Sequence, residues 1–455
     1  MSIGFDGDIE LGPVRRPHKY NSLPAFRSKT KPVQSLTAAE LKYVETMSDG
    51  DTSKLLRESC RHMRHVRSMV SQYTSFVLDA DIHAEFHPAE EPYDRLLLLM
   101  SEIMEIFRLD SDIAIHQVLN RLDEKSALIG NRTEDRELKV KHLVFNVIGW
   151  VSLLYLPSPN PRSTSFKIAL QGAISPSRAS AGIDKSTRPV DELLRAFGEL
   201  IPRNATSKAA LEHGAARSSP LKFKVSYLNA ATLGSLASIK IQWVDTISAH
   251  LEFDPSIPAV LLFKAPSFCK LQQSDDSMLA ILCQNIYVGE ERPTKDFSVA
   301  KMLREILLSY SLLFRDDRRA RNLYRKIERK RASLEDSTSE EVVDPWLDKL
   351  CGVYLSTSIF SLGGPVREVY DAEADFPIFK RRITKIQDYM ESIQPNRFMS
   401  LWRDRRDLRI WYTIWTVIVL GLISIIQTSI GIALAAAQLQ VAIKATQMQV
   451  PQGGS

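Results

Sequence analysis

Most of the signatures that catalysis leaves in a sequence are missing from this chain. There is no Walker loop, no GxGxxG, no HExxH, no GxSxG and no Cys/His cluster at metal-ligand spacing. The phosphate cradles, dinucleotide turns, zinc helices and nucleophile elbows that those patterns build are therefore not expected, and no cofactor is implied. Cysteine is scarce: Cys60, Cys269, Cys283 and Cys351 are far apart and form no CxxC pair. That spacing argues against a disulfide framework and fits reduced, buried thiols of a cytosolic protein. The N-terminal MSIGFDGDIELGPVRRPHKY holds no apolar core of signal-peptide length. The most telling absence is of charge. A quarter of the chain is charged, yet no charged residue occurs from Ile410 through Ile443.

That uncharged stretch predicts a membrane helix over 410–437. About 28 helical residues reach ~42 Å, against a hydrocarbon core of ~30 Å. Arg397, Arg403, Arg405, Arg406 and Arg409 precede it, whereas Lys444 is the one basic residue after it. By the positive-inside rule the large N-terminal part is expected in the cytosol and the tail 438–455 on the far side, as in a late-inserted C-terminal anchor. Arg403, Arg405, Arg406 and Arg409 with Trp411, Tyr412 and Trp415 form the expected membrane interface. Gly421, Ser424, Thr428, Gly431 and Ala435 recur at steps of three and four, a seam of small residues that Gln438 continues, with the Gln427 amide near mid-span. Two readings apply. The seam can admit a second copy of the helix, or its small residues are ordinary membrane composition with hydroxyls bonded to their own backbone.

Before the anchor, composition and periodicity predict a mainly α cytosolic domain with a small β element near 239–264. Residues 1–36 mix Gly, Pro, Ser and basic residues without periodicity and read as disordered. A helical region over 37–156 opens with a capping box, Thr37 with Glu40. It continues with an amphipathic helix over 53–78 and with helices over 92–107, 111–125 (Ser111 as N-cap) and 133–155. The apolar run Leu143 to Leu156 is too short to span a bilayer and reads as a buried helix. Residues 157–188 are Ser- and Pro-rich and read as a loop, with an apolar island around Phe166 to Ile174. A second helical region, 189–394, is followed by a basic juxtamembrane segment, 395–409.

Within 189–394, residues 227–269 are the most distinctive. Ala230 to Ala237 is helical in character, Ile239-Ile241-Trp243 alternates like a strand, and Ala259 to Phe263 forms a second strand. Helix, strand and strand together resemble the end of a winged-helix module. In AHLEFD, alternation places His250, Glu252 and Asp254 on one side of a strand. Such a set could do acid/base work, but it reads first as a solvent face, with Leu251 and Phe253 pointing inward.

The words YLN, IKIQWVDTISAHLEFD and LLFKAPSFC, with FPIFKRRITKIQDYM and LWRDRRDLRIWYTIWTV further on, resemble a family of uncharacterised filamentous-fungal proteins with a single C-terminal membrane helix. The resemblance spans roughly 227–438. It implies the anchor and carries no catalytic or binding residues.

A long helix is expected over 298–334. Its second half, from Arg315 to Arg331, holds nine basic and three acidic residues. A solvated face is the first reading, ahead of anionic lipid, with nucleic acid last because no base-reading motif accompanies the charge. Asp344 is expected to cap an apolar helix that Gly363-Gly364-Pro365 stops, and 376–393 reads as a basic amphipathic helix. The functional expectation is a single-pass interaction or scaffold/signalling protein at a membrane surface. Its expected partners are the bilayer, anionic lipid, another protein and a second copy. The alternatives are an enzyme on an unrecognised fold and nucleic-acid binding through the winged-helix-like module.

Overall fold

The computed structural model describes residues 37–48, 92–125, 133–158, 163–169, 179–198, 200–202, 221–284, 297–332, 343–353, 365–393 and 408–448. It is 64% helical and 10% strand, so helix packing builds the core and the sheets are small, as the sequence suggests. The expected stretches 1–36 and 53–78 lie outside the described residues.

Helix α1 (Ala38–Ser48) begins at the expected capping box. Thr37 Oγ1 accepts from the Glu40 N–H at 3.2 Å and the Glu40 carboxylate accepts from the Thr37 N–H at 3.0 Å. It is joined to α2 (Pro92–Leu109) by Thr37 with Asp94 and by Lys42 with Glu102. In α2, Leu97, Met100, Met104 and Phe107 are all fully buried. Helix α3 (Ile115–Glu124) corrects the expected cap. The Gln117 side chain takes the Ala114 N–H at 3.0 Å, so Ala114 rather than Ser111 is the N-cap. Helix α4 (Glu134–Ser152) is capped by Thr133 and ends where Leu153 turns left-handed at φ 49°. Its apolar run is core, with Val144, Phe145, Ile148 and Trp150 buried.

The Ser/Pro-rich stretch does more than loop. Strands β1 (Ser165–Lys167) and β2 (Ser180–Gly182) pair antiparallel and hold Phe166 inward, its ring stacked on Phe145 at 4.7 Å. Phe166 and Ile168, at the start of the apolar island, are thus buried against the α4 core, and the island from residue 170 onward lies outside the described residues. Helix α5 (Val190–Arg195) follows Pro189.

Strand β3 (Lys222–Lys224) leads through the single turn α6 (Val225–Leu228) into α7 (Ala230–Ala237), whose cap Asn229 accepts from the Thr232 N–H at 2.9 Å. Then come β4 (Lys240–Val244), β5 (Phe253–Asp254) and β6 (Ala259–Phe263), paired in the order β4-β6-β5. Both long strands stand where alternation and the short apolar run placed them, but β4 runs parallel to β6. A wing is an antiparallel hairpin, so the winged-helix expectation is corrected.

After α8 (Pro266–Leu271) and α9 (Met278–Gln284), helix α10 (Val299–Tyr310) starts at its cap Ser298. The expected continuous helix over 298–334 is broken. A π-helical turn spans Ser311–Arg315, Asp317 is extended and caps α11 (Arg318–Leu323) by accepting from the Ala320 N–H at 2.8 Å, and a second π turn spans Tyr324–Glu328. Aspartate side chains compete with the backbone for helix hydrogen bonds, which explains a restart at Asp316-Asp317. Helix α12 (Pro345–Leu350) is capped by Asp344 as expected but stops at Gly352, not near Gly363. Gly352 has φ 78°, and bonds from Val353 N–H to Asp348 O and from Gly352 N–H to Lys349 O complete a Schellman end. Strand β7 (Val369–Asp371) pairs antiparallel with β3, and α13 (Lys380–Ser392) buries Ile383, Ile386 and Met390. The chain closes with α14 (Leu408–Met448), longer than the expected 410–437 because nothing between Ala437 and Met448 breaks a helix.

Candidate functional site

Helix α14 is 41 residues long. Its segment Trp415–Lys444 covers 30 residues; the most apolar 18-residue window within it has a mean hydropathy of 2.3, and none of that window is buried. Thirty residues reach ~45 Å, enough to cross a ~30 Å hydrocarbon core with tilt. Val417, Ile425 and Ile432 are 65%, 64% and 66% exposed. An apolar surface this long and open exceeds what soluble proteins expose to water. The backbone needs no outside partner, and neither do the hydroxyls. Thr416, Ser424, Thr428 and Ser429 bond the carbonyls of Tyr412, Leu420, Ser424 and Ile425, each four residues back, at 2.8 to 3.0 Å.

The seam residues Gly421, Ser424, Thr428, Gly431 and Ala435 all lie on this open helix. A Cβ added at Gly421 or Gly431 meets nothing within 4 Å. Of the expected interface residues, Tyr412 is exposed and Trp415 half-buried. Arg409 and Trp411 fall in the helix, but their side chains lie outside the described ones, and Arg403, Arg405 and Arg406 lie outside the described residues altogether.

The polar candidates that precede α14 are rearranged. His250 is not on a solvent face: it is fully buried, in a turn before β5. Its Nδ1 accepts from the Phe263 N–H at 3.2 Å, and its Nε2 lies 2.9 Å from Ser309 Oγ, which donates to Ile306 O. Because Nδ1 is occupied as an acceptor, a neutral ring carries its proton on Nε2 and donates to the serine. The ring is thus oriented opposite to a base that would take the serine proton. Burial, and secondarily the Arg382 guanidinium, lowers the His250 pKa to about 3, which keeps it neutral. Arg382 donates to Ser248 O, His250 O and Glu252. Asp254 is exposed, and Leu251 and Phe253 point inward as alternation required.

Sequence reasoning missed Glu305. It reads as one more polar residue of α10, yet it is 3% exposed, and its oxygens take the N–H groups of Ile378 and Phe379 at 2.8 to 3.0 Å, immediately before α13. Burial raises its pKa to about 8 against the pull of those donors. The only hint in the sequence is an acidic residue on the apolar side of the helical repeat.

The basic segment 315–331 is largely occupied. Arg329 makes a bidentate pair with buried Asp348 at 3.0 to 3.1 Å, Arg325 donates to the carbonyls of Gly352 and Val353, and Arg331 pairs with Glu328. Arg318, Arg319 and Lys326 are exposed. Cys269, Cys283 and Cys351 are buried, and burial pushes their thiols up. Among the described residues no group of His, Cys, Asp and Glu is arranged to hold a metal.

Comparison of the chain with family models, curated proteins and solved structures gives no match. The resemblance to fungal membrane proteins therefore has no second observation behind it.

Proposed function

We propose that the chain is a single-pass membrane protein in which α14 crosses a bilayer and holds a helical domain at the cytosolic surface for interaction or scaffolding. The observation that carries the reading is the 30-residue apolar stretch Trp415–Lys444 with no part of its most apolar window buried. Core helices of soluble proteins are covered by their neighbours. This one needs lipid. The orientation rests on the arginines between 397 and 409, the contact with anionic headgroups on the same residues, and self-association on the seam from Gly421 to Ala435.

The full chain should sediment with membranes and resist alkaline carbonate. Release into the supernatant by carbonate overturns the reading. Asn131 and Asn204 begin glycosylation sequons. They should stay unmodified when the protein is made in a glycosylating cell, and a glycosidase-sensitive shift at either one reverses the orientation.

A further inference from the structure

The β4-β6-β5 sheet treats its two edges differently. On the β5 side, β6 pairs with β5 at Val260 and Ala259, and Leu261 exchanges bonds with Leu251 and Glu252. Where β5 runs out, side chains replace it: the Phe263 N–H is taken by His250 Nδ1 and the Phe263 carbonyl by the Tyr310 hydroxyl. On that side of β6 the backbone groups of Leu261 and Phe263 all have partners.

Among the described residues the β4 edge has no such cover. The bonds from Lys240 N–H to Pro258 O and from Lys264 N–H to Val244 O fix the parallel ladder, so Lys240, Gln242 and Val244 face β6. The N–H and C=O groups of Ile241 and Trp243 then point away from it. Among the described residues no strand pairs with that side and no side chain bonds those groups. Trp243 is held from its own face instead, its ring stacked on Phe314 and its Nε1–H donated to Glu328 at 3.1 Å. Lys240 and Gln242 are exposed. An open edge of this kind is a template for another strand.

We infer that the edge pairs with β4 of a second copy, antiparallel about a two-fold axis through Gln242. The edge pattern is self-complementary. With Gln242 opposite its own counterpart, Ile241 lies opposite Trp243 of the second copy. That is the hydrogen-bonded type of antiparallel pair, in which each residue gives its N–H and accepts with its C=O. All four outward groups of each strand are satisfied at once, and no backbone group is left over. The side chains agree as well. Lys240 falls opposite Val244, so the axis brings no like charges together, and the two Gln242 amides can each donate and accept. Four backbone bonds make a weak contact between freely diffusing proteins, and confinement of both copies on one membrane raises their effective concentration. The pairing itself does not depend on the membrane reading.

Single cysteines in the full chain test the register, both in membranes and in mild detergent at high protein concentration. Gln242→Cys should give a disulfide-linked dimer under gentle oxidation, because non-hydrogen-bonded partners lie ~4.5 Å apart at Cα. Lys240→Cys should not, because its counterpart sits four residues along the strand, ~13 Å away. The unsubstituted chain serves as blank, its three described thiols being buried. A second arm uses charge: Gln242→Lys and Gln242→Glu should each lower co-purification of differently tagged copies several-fold, and mixing the two should restore it. Equal crosslinking at 240 and 242, none at either, or no gain from mixing the charged variants overturns the inference. Carbonate extraction reports on the anchor separately, so failure of one reading is distinguishable from failure of the other.

Discussion

Ile306 and Ile425 are the same side chain in opposite circumstances. Ile306, in α10, is completely buried in the core of the helical part that precedes α14, whereas Ile425, in α14, is 64% exposed. Their neighbourhoods differ in the same sense. Around Ile306 the chain has placed polar groups as well, and they are bonded: Glu305 to the start of α13, Ser309 to His250, Tyr310 to Phe263. Around Ile425 the polar groups carry no charge: the Gln427 amide, and hydroxyls that are each closed onto their own helix. A core assembled in water can carry charge-bearing side chains if other elements supply their partners. A helix that meets lipid on its outside must be complete by itself.

The sharpest way to break this contrast is to make the same truncation in both places. Ile306→Ala should lower the unfolding free energy of the soluble part by about 2 to 5 kcal/mol, the range for emptying a well-packed core site. Ile425→Ala should leave the thermal midpoint of that part unchanged and carbonate resistance intact, because lipid closes over the missing methyl groups and creates no cavity. If Ile425→Ala shifts the midpoint as much as Ile306→Ala, α14 is packed against protein and the membrane reading fails.

Two of the buried titratable groups, those with the largest shifts in this range, give the next effect, read from the midpoint against pH. Glu305, raised from 4.5 to about 8, is a proton-holding group in the native state. Its contribution is fully present below about pH 4.5 and is lost as pH rises through about 8. His250, lowered from 6.5 to about 3, works the other way. Its contribution is present above about 6.5 and is lost as pH falls toward 3. Between about 4.5 and 6.5 the two slopes oppose each other, so stability should be nearly flat there and fall on either side. Each limb amounts to a few kcal/mol at most, since a tenfold difference in proton affinity between native and unfolded states corresponds to ~1.4 kcal/mol. Glu305→Gln should remove the fall between 6.5 and 8 and leave the acid limb in place. An unchanged alkaline limb in that variant would assign the slope to some other group.

What could be read from the sequence, and what could not, follows from how local the cause is. Thr37 with Glu40, Thr133, Ser298 and Asp344 cap helices because the cap and its donors lie within three residues. The apolar helix α14 is equally local, a run of composition. Alternation locates β4 and a short apolar run locates β6, but neither gives strand direction, and the parallel pairing depends on the connection from Asp245 to Pro258, which places β5 on the far side of β6. His250 escapes alternation for the same reason, since its partners Ser309 and Phe263 are 59 and 13 residues away. The break at Asp317 and the stop at Gly352 have local signals, two adjacent aspartates and a lone glycine, that the strong apolar periodicity around them masks.

The smallest expected effect lies inside α14 and sharpens the comparison from the lipid side. Thr428 bonds the Ser424 carbonyl at 2.8 Å, so Thr428→Val removes a hydroxyl that has no outside task and should leave helix association unchanged. Gly431 is different. A Cβ added there has open space around it, and leucine is a better helix former than glycine, so Gly431→Leu should leave the isolated helix intact and change association only where a second helix packs on the seam. Measured by crosslinking in membranes, in a Gln242→Lys background that removes strand pairing, Gly431→Leu should reduce oligomer yield several-fold while Thr428→Val does not. Equal yields from both variants would mean that the small residues of α14 face lipid alone, and that a second copy, where it binds, binds through the soluble domain.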